Sequence, residues 1–121
     1  MSFHEHLKDV CTHVDGAVAC SLMGADGIEV DTHLAPDAGA DVDLKSVLVE
    51  YSGVFRSARE AAGAQQAGDL SEVSINTEKL VTVARQVSPD YFMVVALKPE
   101  GNYGKARYLL RITAPKVRSE L

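Results

Sequence analysis

The residues of this chain best suited to chemistry are two cysteines, four histidines, two carboxylates two residues apart, and a glycine-rich turn ending in a lysine. Nucleophilic catalysis needs a Ser or Cys beside a base that a third group orients. Cys11 and His13 are two apart in a helical pattern, so their side chains point in different directions. Cys20-Ser21 falls in an apolar, strand-like run without the glycine-flanked elbow that exposes a nucleophile. Both thiols read as buried and reduced, with a disulfide between them as the lesser alternative. His4, His6, His13 and His33 contain no His-x-x-x-His pair, no Cys-x-x-Cys accompanies them, and His4-x-His6 lies where chain ends fray. Glu29 and Asp31 fall on one face of a strand by its period of two, which allows a carboxylate pair, although a solvated edge is the simpler expectation. Gly101-Asn102-Tyr103-Gly104-Lys105-Ala106 has two glycines and a lysine ahead of a helix but not the spacing of a phosphate loop. It reads as a strand-to-helix turn with Asn102 as cap. None of these patterns supports an active site, and no metal or cofactor is expected.

The 121 residues, 46% hydrophobic and 24% charged, have the balance of a soluble globular protein and suit one domain over 1–121. No apolar run approaches the roughly 20 residues that span a bilayer, and the first residues lack the pattern of a secretory signal, so a cytoplasmic location is expected. The formal net charge is −5 and unevenly spread. Up to Asp43 the one basic side chain is Lys8, against nine Asp or Glu, whereas the last helical segment carries Lys105, Arg107, Arg111, Lys116 and Arg118. An acidic chain argues against general nucleic-acid binding, which depends on neutralising phosphates. The basic segment is either a solvated helix face or a contact for an acidic protein.

Phe3, Leu7, Val10, Cys11 and Val14 recur on one helical face and predict a short first helix ending near Asp15-Gly16. Ala17 to Met23 reads as an apolar strand, Gly24-Ala25-Asp26-Gly27 as a tight turn, and Ile28 to His33 as an alternating, half-exposed strand. A loop from Leu34 to Ala40 leads to a long helix, capped by Asp41 or Asp43 and ending by Gly63 or Gly68. Its apolar stripe runs through Leu44, Val47, Leu48, Tyr51, Val54, Phe55, Ala58 and Ala62. Three strands follow, Leu70 to Ile75, Leu80 to Val87 and Tyr91 to Leu97, the last apolar enough to lie centrally. A closing helix from about Asn102 to Leu121 contains Pro115, which should kink it or end its regular part. The expectation is an α+β fold of order α-β-β-α-β-β-β-α, a five-stranded antiparallel sheet with helices on its faces.

The long helix has a second unusual face. Ser46, Val49, Gly53, Ser57 and Ala64 lie opposite the apolar stripe at ~100° per residue, while Lys45, Arg56 and Arg59 occupy a flank. Glycine in mid-helix costs about 1 kcal/mol against alanine, so a compensating close approach is expected, most simply by the same helix of a second copy. The alternative is a merely exposed face of small residues.

The order of elements, together with Val14-Asp15-Gly16-Ala17-Val18-Ala19, Met23-Gly24-Ala25-Asp26-Gly27-Ile28-Glu29-Val30 and Gly101-Asn102-Tyr103-Gly104-Lys105-Ala106-Arg107-Tyr108, resembles the roadblock (dynein light chain) family along essentially the whole chain. Bacterial members of the MglB and MglC kind, from gliding motility and cell polarity, look most similar. The resemblance implies a non-catalytic homodimer in which the third strands pair edge to edge and the long helices lie side by side. Here the interface would comprise Leu70, Val73 and Ile75 with Ser46, Val49, Gly53 and Ser57. It also implies a Ras-like small GTPase or another roadblock protein as partner, with Lys45, Arg56 and Arg59 as possible contacts. A direct GTPase activator is the alternative within the fold. A small-molecule sensor is the alternative outside that role, though Leu48, Tyr51 and Phe55 look large enough to fill the space a ligand would need.

Overall fold

The computed structural model describes residues 2–36 and 42–121. Its elements run α1 (Phe3–His13), β1 (Ala17–Gly24), β2 (Glu29–Leu34), α2 (Leu44–Ala64), β3 (Glu72–Asn76), β4 (Val81–Ser88), β5 (Tyr91–Leu97) and α3 (Tyr103–Arg118). The expected order and class hold. The strands form one antiparallel sheet in the order β2-β1-β5-β4-β3. β5, the most apolar, is its centre.

One face of the sheet carries α1 and α3. Leu7, Val10 and Cys11 of α1 and Ala106, Leu110 and Val117 of α3 share a core with Cys20, Leu22, Val83, Met93, Val95 and Leu97. The other face carries α2, whose Leu48 and Phe55 pack with Met23, Ala84, Phe92 and Val94, and whose Leu44 packs with Val18, Ala19, Leu80 and Ala96. α2 therefore lies along the strands, its start near one end of the sheet and its last turns near the other.

Asp43 caps α2, its carboxylate accepting from the Ser46 amide and hydroxyl. The alternative cap Asp41 lies outside the described residues, as do four other residues of the predicted loop. The Asp43 carboxyl is held below its ordinary acidity range, chiefly by the Ser46 hydroxyl. Asn102 caps α3 by accepting from the Lys105 amide at 3.0 Å.

Two phrases far apart in sequence meet at one joint. Gly16 has φ +84°, a conformation in which other L residues are strained. A methyl on Gly16 would come within 2.6 Å of the Gly101 Cα, and one on Gly101 within 2.8 Å of the Asp15 carbonyl oxygen. Around this contact the Asn102 amide donates to Asp15 O and the Lys98 amide to Gly16 O. The α1–β1 and β5–α3 connections thus lock together through their backbones.

Three expectations need correction. Pro115 does not end α3, which continues to Arg118: proline has no N–H to offer the Arg111 carbonyl four residues back, but the turn after it still closes, with the Ser119 amide donating to Pro115 O. Val54 is not on the sheet-facing stripe. It is 48% exposed, and the buried position beside Phe55 goes to Ser52, whose hydroxyl donates to Val49 O at 2.6 Å. Glu29 and Asp31 do not share a face. The β1–β2 register shifts between Leu22 and Met23, so that Glu29 lies opposite Met23 and Asp31 opposite Leu22. The bulge, one extra residue in β2, turns the first carboxylate toward the α2 side and leaves the second on the α1 side.

Candidate interaction surfaces

The groups singled out for chemistry are dispersed by the fold. Cys11 and Cys20 are both buried, and burial, with Cys11 as a second influence, pushes the Cys20 thiol far above its ordinary range. Such a thiol is a poor nucleophile. His4 and His33 meet each other, while His6 and His13 go to separate partners. His4 Nδ1 lies 3.3 Å from an Asp31 oxygen and its ring meets His33 edge-on. His6 Nε2 lies 3.2 Å from Glu120, and His13 Nδ1 lies 2.8 Å from Asp9 O. No group of three or more His, Cys, Asp or Glu among the described residues is placed to hold a metal. No helix among them is long and apolar enough to cross a membrane.

What the fold presents instead is surface. β3 lies at one end of the strand order, and its pairing with β4 runs without a shift from Glu72 to Asn76. Leu70, Val73 and Ile75 are half-buried on the α2 side, beside the core cluster that Tyr51 also joins. At the opposite end, Ile28 is 65% exposed, and Val30 and Leu34 are also exposed. An open groove of about 540 Å³ separates β2 from the first turns of α2, lined by Glu29, Thr32, Leu34, Val42, Asp43, Leu44, Lys45 and Leu48.

The two flanks of α2 face these two edges. Lys45 lines the β2 groove, the Ser52 hydroxyl approaches Gly27 of the hairpin turn, and Arg56 Nη1 donates to Ala25 O at 3.5 Å. Arg59 donates to Pro89 O in the β4–β5 turn. That flank, where Val49 is also exposed, therefore looks toward the β1–β2 hairpin. Val54 projects from the other flank, toward β3. Between them, Ser46 and Ser57 are exposed, Gly53 is half-exposed, and a methyl on Gly53 would meet nothing within 4 Å. The predicted interface residues thus divide into a crest (Ser46, Gly53, Ser57), an edge strand with Leu70 before it, and Val49 on the far flank. Arg56 and Arg59, expected on one flank with Lys45, each reach a backbone carbonyl of a neighbouring loop. Val54 was missed because a helical wheel gives a flank position no address relative to the sheet.

A scan against models of known families and a search of curated proteins return no match. Solved structures do match. MglC from Myxococcus xanthus is 55% identical, with 100% of both chains covered and a TM-score of 0.73. A roadblock/LC7 domain from Streptomyces avermitilis is 16% identical, with 99% of this chain and 98% of that one covered and a TM-score of 0.82. The gliding protein MglB from Thermus thermophilus is 14% identical, with 96% and 85% covered and a TM-score of 0.82. The latter two speak for the fold alone, whereas the first is a sequence relative from end to end. The chain belongs to the roadblock family, as a member similar to MglC and MglB.

Proposed function

We propose that this chain is a non-catalytic, homodimeric adaptor or regulator that binds a Ras-like small GTPase or a second roadblock protein in bacterial motility or cell polarity. The observation that carries the reading is its 55% identity to MglC along the whole of both chains. One domain over 1–121, working in the cytoplasm, belongs to the same proposal.

The dimer draws support from the β3 edge and the flank of α2 above it. Two copies of a regular edge strand can pair antiparallel about a two-fold axis and continue the sheet. That arrangement brings Leu70, Val73 and Ile75 of each copy together and sets the α2 helices side by side. Ser46, Gly53 and Ser57 would permit close approach, and Val54 would add apolar contact. Val49, with the hairpin and the β2 groove, stays outside this interface and remains available to the second protein, with Lys45 as a possible contact.

Arg56 and Arg59 already donate to backbone carbonyls. If the protein stimulates hydrolysis, it does so by repositioning the GTPase's own groups rather than by lending an arginine. The sensor reading is weakened by Phe55, which is fully buried and packs on Phe92 at a ring distance of 5.6 Å, filling the layer between α2 and the sheet.

Sedimentation at micromolar concentration should report a dimer, and tagged protein should retain a Ras-like GTPase or a second roadblock protein from native lysate. A monomer that retains neither at low salt would overturn the reading. Acceleration of the retained GTPase by saturating protein would replace the adaptor with the activator.

A further inference from the structure

α3 carries five Lys or Arg and no Asp or Glu, in a chain whose formal net charge is −5. The rest of the molecule is correspondingly acidic, so this helix is an island of positive charge. On its side toward β3 and β4 it bounds a second groove, of about 370 Å³, lined by Ser71, Glu72, Arg85, Gly104, Arg107, Tyr108 and Arg111. The cations there are not equivalent. Arg107 Nε donates to Glu72 at 2.8 Å and its guanidinium lies over the Tyr103 ring, so the one acid in the groove is already neutralised. Arg85 stands directly across the strand pair from Glu72, yet no ion pair or hydrogen bond engages it among the described residues. Arg111 has no ion pair either and lies over the ring of Tyr108, which is 51% exposed. Two uncompensated guanidinium groups therefore converge on a cleft beside an exposed aromatic side chain. Arg and Tyr are the residue types most concentrated at binding hot spots, and a guanidinium fork matches a carboxylate in geometry as well as charge.

We propose that this α3–β4 groove docks an acidic peptide segment of a partner protein, with Arg85 and Arg111 taking carboxylates and Tyr108 packing against the intervening chain. The shape favours a peptide over an extended anionic surface. Arg85 arises from the sheet, below the ridge of α3, where a flat bilayer would not reach it. A polynucleotide or membrane would also extend across the acidic remainder of the protein, within the ~8–10 Å over which charges are felt at physiological salt. A short acidic segment fits inside the basic region. The site does not rest on dimer formation, because Arg85 of β4 and Arg111 of α3 lie off the β3 edge that the dimer would use.

The test is fluorescence anisotropy of a labelled peptide of alternating aspartate and glutamate, titrated with the whole protein. Saturable binding that weakens with added salt is expected. R85Q/R111Q should weaken it at least about tenfold, as loss of two charge-assisted contacts implies. K116Q/R118Q removes the same charge from α3 outside the groove and should change affinity less than about twofold. Equal losses in the two variants would reduce the effect to net charge and overturn the proposal. Preferential binding of phosphatidylserine vesicles or single-stranded oligonucleotide would overturn it too. Amide shifts in the unaltered protein guard against a folding defect in the first variant. Peptide-induced shifts clustered at 71–72, 85 and 104–111 support the site, and shifts confined to other regions refute it.

Discussion

The two outer strands of the sheet finish in opposite ways. β2 is interrupted by a bulge, carries Glu29 and Asp31, and is covered on one face by α1, where His4 meets Asp31 and His33. β3 is short and regular, and its one acid is neutralised by Arg107. Bulges and charges are the devices by which edge strands avoid pairing with another chain. β2 has them and β3 largely lacks them. The apolar residues left exposed differ accordingly: around β2 they project from a hairpin and border a groove, whereas near β3 they are half-buried and continuous with α2. The contrast teaches that the same sheet can offer one edge for adding a strand and another for seating a different surface, with α2 between them as a shared wall.

The heaviest blow should fall on both edges at once, through the joint where Gly16 touches Gly101. Gly16→Ala puts a methyl 2.6 Å from a backbone carbon at a positive φ, and neither neighbour can move without shifting β1 or α3. A loss of about 3 kcal/mol is expected in chemical denaturation. If the variant unfolds at the same denaturant concentration as the parent, the joint is not the clamp that holds the two edges in register.

Next in size is a change that should separate the edges. Val54→Glu alters a side chain that is 48% exposed in the single chain, so the protomer should keep its melting temperature within a few degrees. In the proposed dimer the carboxylate would be buried opposite its own copy, and dissociation should rise by at least about a hundredfold. Sedimentation would read this directly. A variant that remains dimeric at the parent's concentration would move self-association away from the β3 side of α2.

Much of this contrast was legible in the residues and some was not. Periodicity located all eight elements, because a stripe at steps of three and four, or an alternation of two, is a local property of the chain. The outer position of β3 came only through resemblance, since strand order depends on contacts between distant segments. The bulge escaped notice because one extra residue leaves the alternation of Ile28, Val30 and Thr32 looking regular while moving Glu29 and Asp31 to opposite faces. Ser52 was absent from the predicted apolar stripe; buried there, its hydroxyl is accommodated by donating to the helix's own Val49 carbonyl. The roles of Arg56 and Arg59 depend on loops that come near α2 only after folding. The small-residue crest was legible as a pattern, whereas placing Val49 on the hairpin flank required knowing which way α2 lies.

A milder change should sharpen the β2 side. Ile28, at 65% exposure the most exposed large apolar side chain described, projects at the end of the hairpin, so Ile28→Ser should leave both fold and dimer unchanged. Retention of the second protein should weaken by about tenfold if this end seats the partner. Unchanged retention, together with loss on Val54→Glu, would mean that both proteins compete for the same flank of α2.

The smallest effect should be one of pH, and it too should distinguish the edges. His33 lies on β2 beside His4, and its affinity for a proton is lowered from the ordinary 6.5, first by burial and then by His4 and Lys8. Because the folded value is the lower one, the unfolded chain binds more protons through the interval between them. The contribution is complete above 6.5 and declines as the pH falls toward the folded value. Melting temperature measured from about pH 7.5 down to about pH 5 should therefore drop less for His33→Gln than for the parent. β3 carries no histidine, so Val54→Glu should show the parent's slope through the same range when both are compared as monomers. A slope unaltered by His33→Gln would mean that the imidazole is accommodated equally well in either charge state, and that α1 holds the β2 edge by apolar packing alone.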